Sequence, residues 1–193
     1  MKNKIVPHLL YLISIFFLLT QNTFAEINWP SIQKGDKVIF IRHSSAPGGG
    51  DPPGFKIDDC KTQRNLDKVG IEQSKKIGEL FKKKSIPIDK VLSSQWCRCK
   101  DTAKYAFNKY EEFSGLNSIF QHPFDQNEIK QIKQIKNYVK NWDGKGKNLI
   151  MITHYSIITK MTNTTPSSGE IVIVDKKFNV LDRISTLEIG FLY

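Results

Sequence analysis

Two short runs of apolar residues constrain the fold of this chain more than any other feature. One is residues 38–41 (VIFI), and the other lies within residues 148–153 (NLIMIT). Each run is too short for a typical helix, and neither alternates with polar residues as a half-buried strand does. Such runs are typical of strands covered on both faces, as in a parallel sheet between layers of helices. We therefore predict an α/β fold.

The rest of the chain alternates between strand-like and helix-like segments. Apolar residues at helical spacing, with Asp67 as N-cap and Pro87 beyond the end, predict a helix from about residue 67 to 84. The other predicted helices run from Ser93 or Ser94 to about residue 108, over residues 128–139 and over residues 156–161; the predicted strands are 37–42, 90–92, 148–153 and, as a candidate, 118–121; residues 170–175 and 178–185 form a predicted edge hairpin. This order predicts a three-layer α/β/α sandwich with a mostly parallel central sheet.

The first 25 residues have the layout of a secretory signal. Lys2 and Lys4 precede an apolar stretch from Ile5 to about Thr20, and residues 23–25 (TFA) end it with small residues. The alternative is an uncleaved membrane anchor, although the stretch is shorter than a spanning helix needs. We predict cleavage after Ala25, a periplasmic or secreted bacterial location, no stable membrane insertion afterwards, and one domain over residues 26–193.

The basic charge of the chain does not by itself indicate a nucleic-acid partner. The net charge of +10 falls to +8 without residues 1–25, because Lys2 and Lys4 are lost with them. The remaining lysines are scattered at spacings typical of solvated helix faces, and no nucleic-acid-reading motif occurs. Anionic lipids and phosphorylated molecules remain compatible with this charge.

Three cysteines, Cys60, Cys97 and Cys99, are an odd number for an oxidising compartment. One disulfide and one free thiol is the simplest arrangement, and the residues alone do not say which pair is bonded. The spacing of Cys97 and Cys99 is poor for zinc without a second pair.

Two histidines and two arginines follow predicted strands at the same edge of the sheet. Arg42 and His43 follow the first strand, Arg98 lies beyond the second, and His154 follows the buried strand at residues 148–153. Ligands bind at the carboxyl ends of strands in such sheets. Arginine matches phosphate oxygens, and a neutral imidazole nitrogen can attack phosphorus. A lone His154 or Arg98 is more often structural; it is their coincidence that predicts phosphoryl transfer without a metal or cofactor.

The chain resembles the histidine phosphatase, or phosphoglycerate mutase-like, superfamily at four motifs. FIRHSS resembles its Arg-His motif, RNLDKVGIEQSKKIGELF its Leu-Thr-x-x-Gly-x-x-Gln-Ala helix start, VLSSQWCRCKDTAKYAF its Ser-Ser-x-x-x-Arg segment, and NLIMITHYSII its second histidine. GDPPGFKIDDCKTQRNL is similar to a secreted bacterial branch of the superfamily. These motifs follow in order from residue 37 to about 161, most of the predicted mature chain.

The resemblance implies a role for each matching residue. His43 is the implied nucleophile, Arg42 and Arg98 the implied ligands of the phosphoryl oxygens, and His154 a further contact to them. Arg64 is a further candidate for substrate binding. Ser44 occupies a position where the family commonly has glycine, and a small residue there still fits beside the substrate.

The proton donor is the point at which the chain departs from the family pattern. Many members place a carboxylate after the third strand, where this chain offers Asp125 and Glu128 outside any recognisable motif. Both also fit the start of a helix, as cap or first-turn residue. Without an acid, substrates with good leaving groups, such as phosphohistidine or acyl phosphates, are favoured.

We expect a phosphatase with an open pocket bordered by the loop over residues 44–60, because the segment that covers the site in larger members is short here. The alternatives are a protein that binds phosphorylated ligands without turnover and, third, a phosphomutase. Sugar phosphates, lipopolysaccharide phosphates and phosphoproteins are equally compatible substrates.

The resemblance places Cys60 on the loop beside the site and Cys97 next to Arg98, so we predict a Cys60–Cys97 disulfide, with Cys99 in a small buried position.

Overall fold

The computed structural model describes residues 26–185 of the 193-residue chain, so the predicted signal peptide lies outside the described residues. The helices are α1 (Trp29–Gln33), α2 (Lys68–Lys83), α3 (Cys97–Phe107), α4 (Glu128–Asn141) and α5 (Tyr155–Thr162). The strands are β1 (Val38–Arg42), β2 (Ile88–Ser93), β3 (Glu111–Glu112), β4 (Asn148–Thr153), β5 (Ile171–Val174) and β6 (Val180–Ile184). Across residues 26–185, no helix is both long and apolar enough to span a membrane.

The six strands within residues 26–185 form one sheet in the order β3-β2-β4-β1-β5-β6. The four strands from β3 to β1 are parallel, whereas β5 pairs antiparallel with β1, and β6 pairs antiparallel with β5 at the edge. The predicted three-layer sandwich with a mostly parallel sheet is therefore confirmed, and so is the predicted hairpin at its edge. Because β1, β4 and β2 are parallel neighbours, their carboxyl ends lie together at one edge of the sheet.

The two faces of the sheet build two separate cores. Ile39 and Ile41 of β1 pack with Ile150 and Ile152 of β4 on the face covered by α1, α2 and α3. The intervening residues, among them Phe40 and Met151, pack on the opposite face against α4 and α5. Burying one such side chain stabilises the fold by roughly 1.5–3 kcal/mol. The continuous apolar runs in the sequence therefore follow from a sheet that is covered on both sides.

Helix α2 fixes the start of the loop that follows β1. The Asp67 side chain accepts a hydrogen bond from the Gly70 amide, as predicted for an N-cap. Gly70 approaches the carbonyl of Ser45 so closely that a Cβ atom there would collide with it. The chain just beyond His43 is therefore held against the first turn of α2.

Two predicted elements are wrong. Residues 118–121 are not the third strand: the Phe120 amide bonds to the Ser118 hydroxyl, and the Gln121 carbonyl accepts from the Phe124 amide, so the backbone turns instead of extending. The third strand is β3, whose two exposed glutamates pair through their backbone with β2 at the sheet edge. This edge strand needs no apolar side chains.

Neither Ser93 nor Ser94 caps the helix after β2. Helix α3 begins at Cys97, with Trp96 in the cap position and no side-chain capping bond. The first amide of the helix, that of Cys97, instead donates to Gln63 at 3.0 Å. The hydroxyl of Ser94 contacts the side chains of His154 and Asn117, and the one amide that donates to it, that of Trp96, precedes the helix.

The structure confirms the predicted disulfide between Cys60 and Cys97 and leaves Cys99 as a buried free thiol. Gln63 adds to the same attachment, because its amide group donates to the carbonyls of Lys56 and Ile57 while its oxygen binds the Cys97 amide. The far end of the loop after β1 is therefore tied to the start of α3, one residue from Arg98.

We expect the disulfide to contribute about 3–4 kcal/mol to the free energy of unfolding, because it closes a segment with a sequence separation of 37. Urea denaturation of the oxidised and reduced protein measures this difference. The Cys60→Ser/Cys97→Ser double variant is the matched control, and its stability should not respond to reductant. Equal stability of the oxidised and reduced wild-type protein would contradict the prediction.

Candidate active site

The four residues singled out at the strand ends meet around one cavity of about 130 Å³. Arg42 ends β1, His43 follows it, His154 follows β4, and Arg98 lies in the first turn of α3. Arg64 also lines this cavity. The parallel sheet thus brings together side chains that are up to 112 positions apart in the sequence.

His43 is buried, with 2% of its surface exposed. Its Nδ1 atom lies 2.9 Å from the carbonyl oxygen of Ser44. Because a carbonyl can only accept a hydrogen bond, Nδ1 carries the proton in the neutral ring, and the lone pair is on Nε2. The ring of His154 lies against it, with 5.4 Å between the two centroids. His43 therefore has one nitrogen fixed as a donor and the other available as a nucleophile.

His154 is oriented by partners on both of its nitrogens. Nε2 lies 3.0 Å from the Ser94 hydroxyl, which in turn donates to Asn117. An Nη2 atom of Arg98 lies 3.4 Å from Nδ1. Since arginine only donates, the neutral ring carries its proton on Nε2, and its Nδ1 lone pair faces Arg98.

The two buried histidines remain uncharged in the folded protein. Burial, reinforced by the Arg98 cation, holds the pKa of His43 well below its usual 6.5. Burial, Arg98 and His43 together do the same to the pKa of His154. Near neutral pH the Nε2 lone pair of His43 is therefore not blocked by a proton.

The lowered pKa values make the stability of the fold sensitive to acid. In the unfolded chain both histidines bind protons below about pH 6.5, whereas in the folded chain they do so only at lower pH. The free energy of unfolding should therefore fall as the pH drops below 6.5, by at most about 1.4 kcal/mol per pH unit for each histidine. Urea denaturation between neutral and mildly acidic pH measures the slope.

Removal of one of the two histidines tests this prediction. His154→Gln should reduce the slope, because only His43 is then left of the two buried histidines that gain a proton on unfolding. A His154→Gln variant with the wild-type slope would contradict the assignment.

Three arginines surround the cavity, and two of them keep buried donors unpaired. Arg42 donates from Nη1 to the carbonyl of Pro166 at 2.9 Å and lies over the ring of Tyr155. Arg64 donates to the carbonyls of Gly50 and Ala46. Among the residues that the structure describes, the Nε atoms of Arg42 and Arg98 are buried without a hydrogen-bond partner. Buried unpaired donors are rare, and here both belong to residues that line the same cavity.

An unpredicted carboxylate, that of Asp51, also lines the cavity. It forms an ion pair with Arg98 at 2.8 Å, and both side chains are 3% exposed. The sequence pattern predicts a loop over residues 44–59 and no role for Asp51. Nothing in the local sequence signals the contact, because it depends on the path of the loop back toward a helix 47 positions further on.

The remaining predicted site residues do not line the cavity. The hydroxyl of Ser44 accepts a hydrogen bond from Ser74 of α2. Asp125 is half-exposed and pairs with His122, and Glu128 pairs with Lys160 at 3.1 Å. The buried thiol of Cys99 lies 3.5 Å from Nε2 of His154, and burial raises its pKa to about 12, so it stays protonated.

The cavity has a second border that the sequence did not predict. Residues 118, 120 and 121 line it opposite the loop, and the side chain of Gln121 accepts a hydrogen bond from the Asp51 amide at 3.1 Å. This bond joins the two borders of the cavity. Phe120 is 53% exposed beside Tyr155, at 5.5 Å between ring centroids.

Within residues 26–185, no group of three or more His, Cys, Asp and Glu side chains is arranged to hold a metal ion. The cavity instead presents arginine donors, which match an anion with several oxygen atoms.

No family model matches the sequence, and no curated protein matches it significantly. Solved structures share its fold. The structure of the protein histidine phosphatase SixA complexed with tungstate superposes with a TM-score of 0.57 at 16% identity, covering 79% of this chain and 99% of that one. A phosphoserine phosphatase mutant from Entamoeba histolytica, in complex with phosphoserine, gives 0.56 at 13% identity, covering 79% of this chain and 98% of that one. The chain therefore has the phosphoglycerate mutase-like α/β/α fold.

Proposed function

We propose that this protein is a metal-independent phosphomonoester hydrolase of the histidine phosphatase superfamily and that it acts through phosphorylated His43. One observation carries the proposal: His43, whose Nε2 bears the lone pair, lines the same small cavity as Arg42 and Arg98, whose Nε donors are buried and unpaired. The solved structures described above as a protein histidine phosphatase and a phosphoserine phosphatase support it.

The reaction has two steps. The Nε2 lone pair of His43 attacks phosphorus, a nitrogen–phosphorus bond forms, and the bond to the leaving oxygen breaks with its electron pair. Water then attacks phosphorus, the nitrogen–phosphorus bond breaks, and inorganic phosphate is released. The His43 ring keeps its Nδ1 proton on the Ser44 carbonyl throughout, so it returns to its starting state.

The arginines act on the charge of the transferring group. Nε and Nη donors of Arg42 and Arg98 bind its equatorial oxygens, and Arg64 supplies a third positive charge at the rim. Donors fixed in a buried site need no reorganisation as the transition state forms, and one such donor contributes about 10²–10³-fold to the rate. His154 lies beside the same oxygens and orients Arg98.

The proposed enzyme works best on substrates with a good leaving group. The sequence-based acid candidates, Asp125 and Glu128, do not line the cavity, and the carboxylate that does line it, Asp51, is bound by arginine. The leaving oxygen therefore departs without a positioned proton donor among the described residues. Phosphohistidine, acyl phosphates and aryl phosphates fit this requirement better than alkyl phosphates do.

A series of aryl phosphates with leaving groups of different pKa tests the function. We expect hydrolysis that persists in the presence of a chelator. The kcat/KM, which reports the transfer to His43, should fall steeply as the leaving group becomes more basic. Loss of activity on chelation would contradict the metal-independent mechanism. A kcat/KM that does not depend on the leaving group would contradict the absence of an acid. Phosphohistidine, sugar phosphates, lipopolysaccharide phosphates and phosphoproteins in the same assay identify the substrate.

Phosphate binding without turnover is the second candidate function. The lack of a positioned proton donor among the residues that line the cavity favours it, because the leaving oxygen then departs without protonation. Tight binding of inorganic phosphate, together with no hydrolysis of any compound in the panel, would favour this candidate over the hydrolase.

We also propose that the enzyme acts outside the cytoplasm. The Cys60–Cys97 disulfide is compatible with an oxidising compartment. Export would follow from the signal-like residues 1–25, and N-terminal sequencing of the protein recovered from outside the cytoplasm should begin at Glu26. A start at Met1 would contradict signal cleavage.

A further inference from the structure

Several N–H donors hold the carboxylate of Asp51 in place. Its Oδ1 accepts from Nη1 of Arg98 at 2.8 Å and from the Arg64 amide at 3.1 Å. Its Oδ2 accepts from the Trp96 indole at 3.0 Å and from the same Nη1 at 3.1 Å. Both carboxylate oxygens are thus engaged by N–H donors, and the group cannot itself donate a proton in this arrangement.

These contacts decide which edge of Arg98 remains available. The guanidinium is planar, with Nη1 at one end and the adjacent Nε and Nη2 atoms forming the opposite edge. Asp51 and the Arg64 carbonyl occupy Nη1. Among residues 26–185, Nε has no partner, and Nη2 has only the 3.4 Å contact to His154. The edge that is free is therefore one that can bind two oxygens of a phosphoryl group side by side.

We propose that Asp51 is a positioning residue that holds Nη1 of Arg98 so that its Nε–Nη2 edge faces the phosphoryl group. This inference rests on the proposed function. The Gly-rich loop after His43 then has a defined role, because it carries a carboxylate back to the arginine and fixes the orientation of that arginine.

In the alternative, the Asp51 carboxylate occupies the phosphate-binding site on Arg98 and is displaced when phosphate binds. The anchoring argues against this, because two of the donors to Asp51 are the Trp96 indole and a backbone amide, and an incoming phosphate does not replace them. The Asp51 amide is also bound to Gln121, which ties this residue to the other border of the cavity.

Asp51→Asn separates positioning from a purely structural role by splitting turnover from binding. The change keeps the size of the side chain and removes the charge that holds Nη1. We expect kcat for an aryl phosphate to fall about 100-fold, as for a misplaced reacting group. The Kd for inorganic phosphate should stay the same or decrease, because the cavity loses a negative charge. Asp58→Asn, the same change at an exposed site on the same loop, should leave both unchanged.

Three outcomes would overturn the proposal. A rise in kcat would make Asp51 a competitor of phosphate. An unchanged kcat would mean that Arg98 needs no such partner. A parallel loss of kcat and phosphate affinity, accompanied by a lower Tm, would make Asp51 structural only.

A measurement on the wild-type protein keeps the proposal testable if the variant fails to fold. Side-chain NMR of Arg98 should detect slow rotation of its guanidinium, with separate Nη signals; freely averaged signals would overturn the proposal. The same measurement distinguishes the two failures. Slow rotation in a protein that hydrolyses no phosphoester would support the positioning of Arg98 and contradict the proposed function. A fully active Asp51→Asn variant would support the proposed function and contradict the positioning role of Asp51.

Discussion

His43→Asn should reduce hydrolysis of an aryl phosphate by at least about 10³-fold while the protein stays folded. The substitution removes the nucleophile, and no other described group in the cavity can replace it: His154 holds its proton against Ser94, and Asp51 is bound by Arg98. Steady-state kinetics and the thermal unfolding profile of the purified variant measure the two effects separately.

The matched control is the exposed histidine at position 122, whose side chain is 73% exposed. His122→Asn makes the same chemical change outside the cavity and should keep wild-type kinetics. If His43→Asn retained more than a small fraction of the activity, nucleophilic catalysis by His43 would be wrong. The remaining explanation would be direct attack by water on a phosphate held by the arginines.

The second large effect is on stability and concerns the buried pair of Asp51 and Arg98. Arg98→Met leaves an uncompensated carboxylate in a site where the Asp51 side chain is 3% exposed. Removing one partner of a buried ion pair typically costs about 3–5 kcal/mol, because the other charge stays buried. We expect a loss of this size in the free energy of unfolding measured by urea denaturation.

The double variant distinguishes loss of the pair from loss of packing. Arg98→Met/Asp51→Asn removes both charges and should recover part of the stability, because the amide oxygen can still accept from one of the two remaining donors, the Trp96 indole and the Arg64 amide. Lys75→Met, which breaks the exposed pair of Lys75 with Glu72, is the surface control and should have a much smaller effect. A double variant as unstable as Arg98→Met alone would contradict this account.

Much of this fold was predictable because its strands are buried on both faces. Residues 38–41 and 148–153 have the pattern typical of such strands, and the ends of parallel strands then bring Arg42, His43 and His154 to one edge. The position of Arg98 followed in the same way, although the predicted start of its helix is too early. The Ser94 hydroxyl binds His154 and Asn117 rather than capping, and that partnership exists only in the folded chain.

The parts that could not be predicted depend on tertiary contacts of polar residues. Asp51 reaches Arg98 because the disulfide and Gln63 fold the loop back onto α3, and no local pattern encodes that path. The segment at residues 118–121 resembles a strand in its apolar content. It turns instead, and through Gln121 it borders the cavity. Strand β3 was not predicted because its two residues are glutamates, which carry no hydrophobic pattern.

Trapping of the covalent intermediate tests the central claim most directly. The wild-type protein would be mixed with a radiolabelled aryl phosphate, quenched within one turnover and digested, and the labelled peptide would be sequenced. We predict a label that is labile to acid and stable to alkali, as expected of phosphohistidine, on the peptide that contains His43, and no such label in His43→Asn. A label on another residue, or the same label in His43→Asn, would contradict a mechanism through phospho-His43.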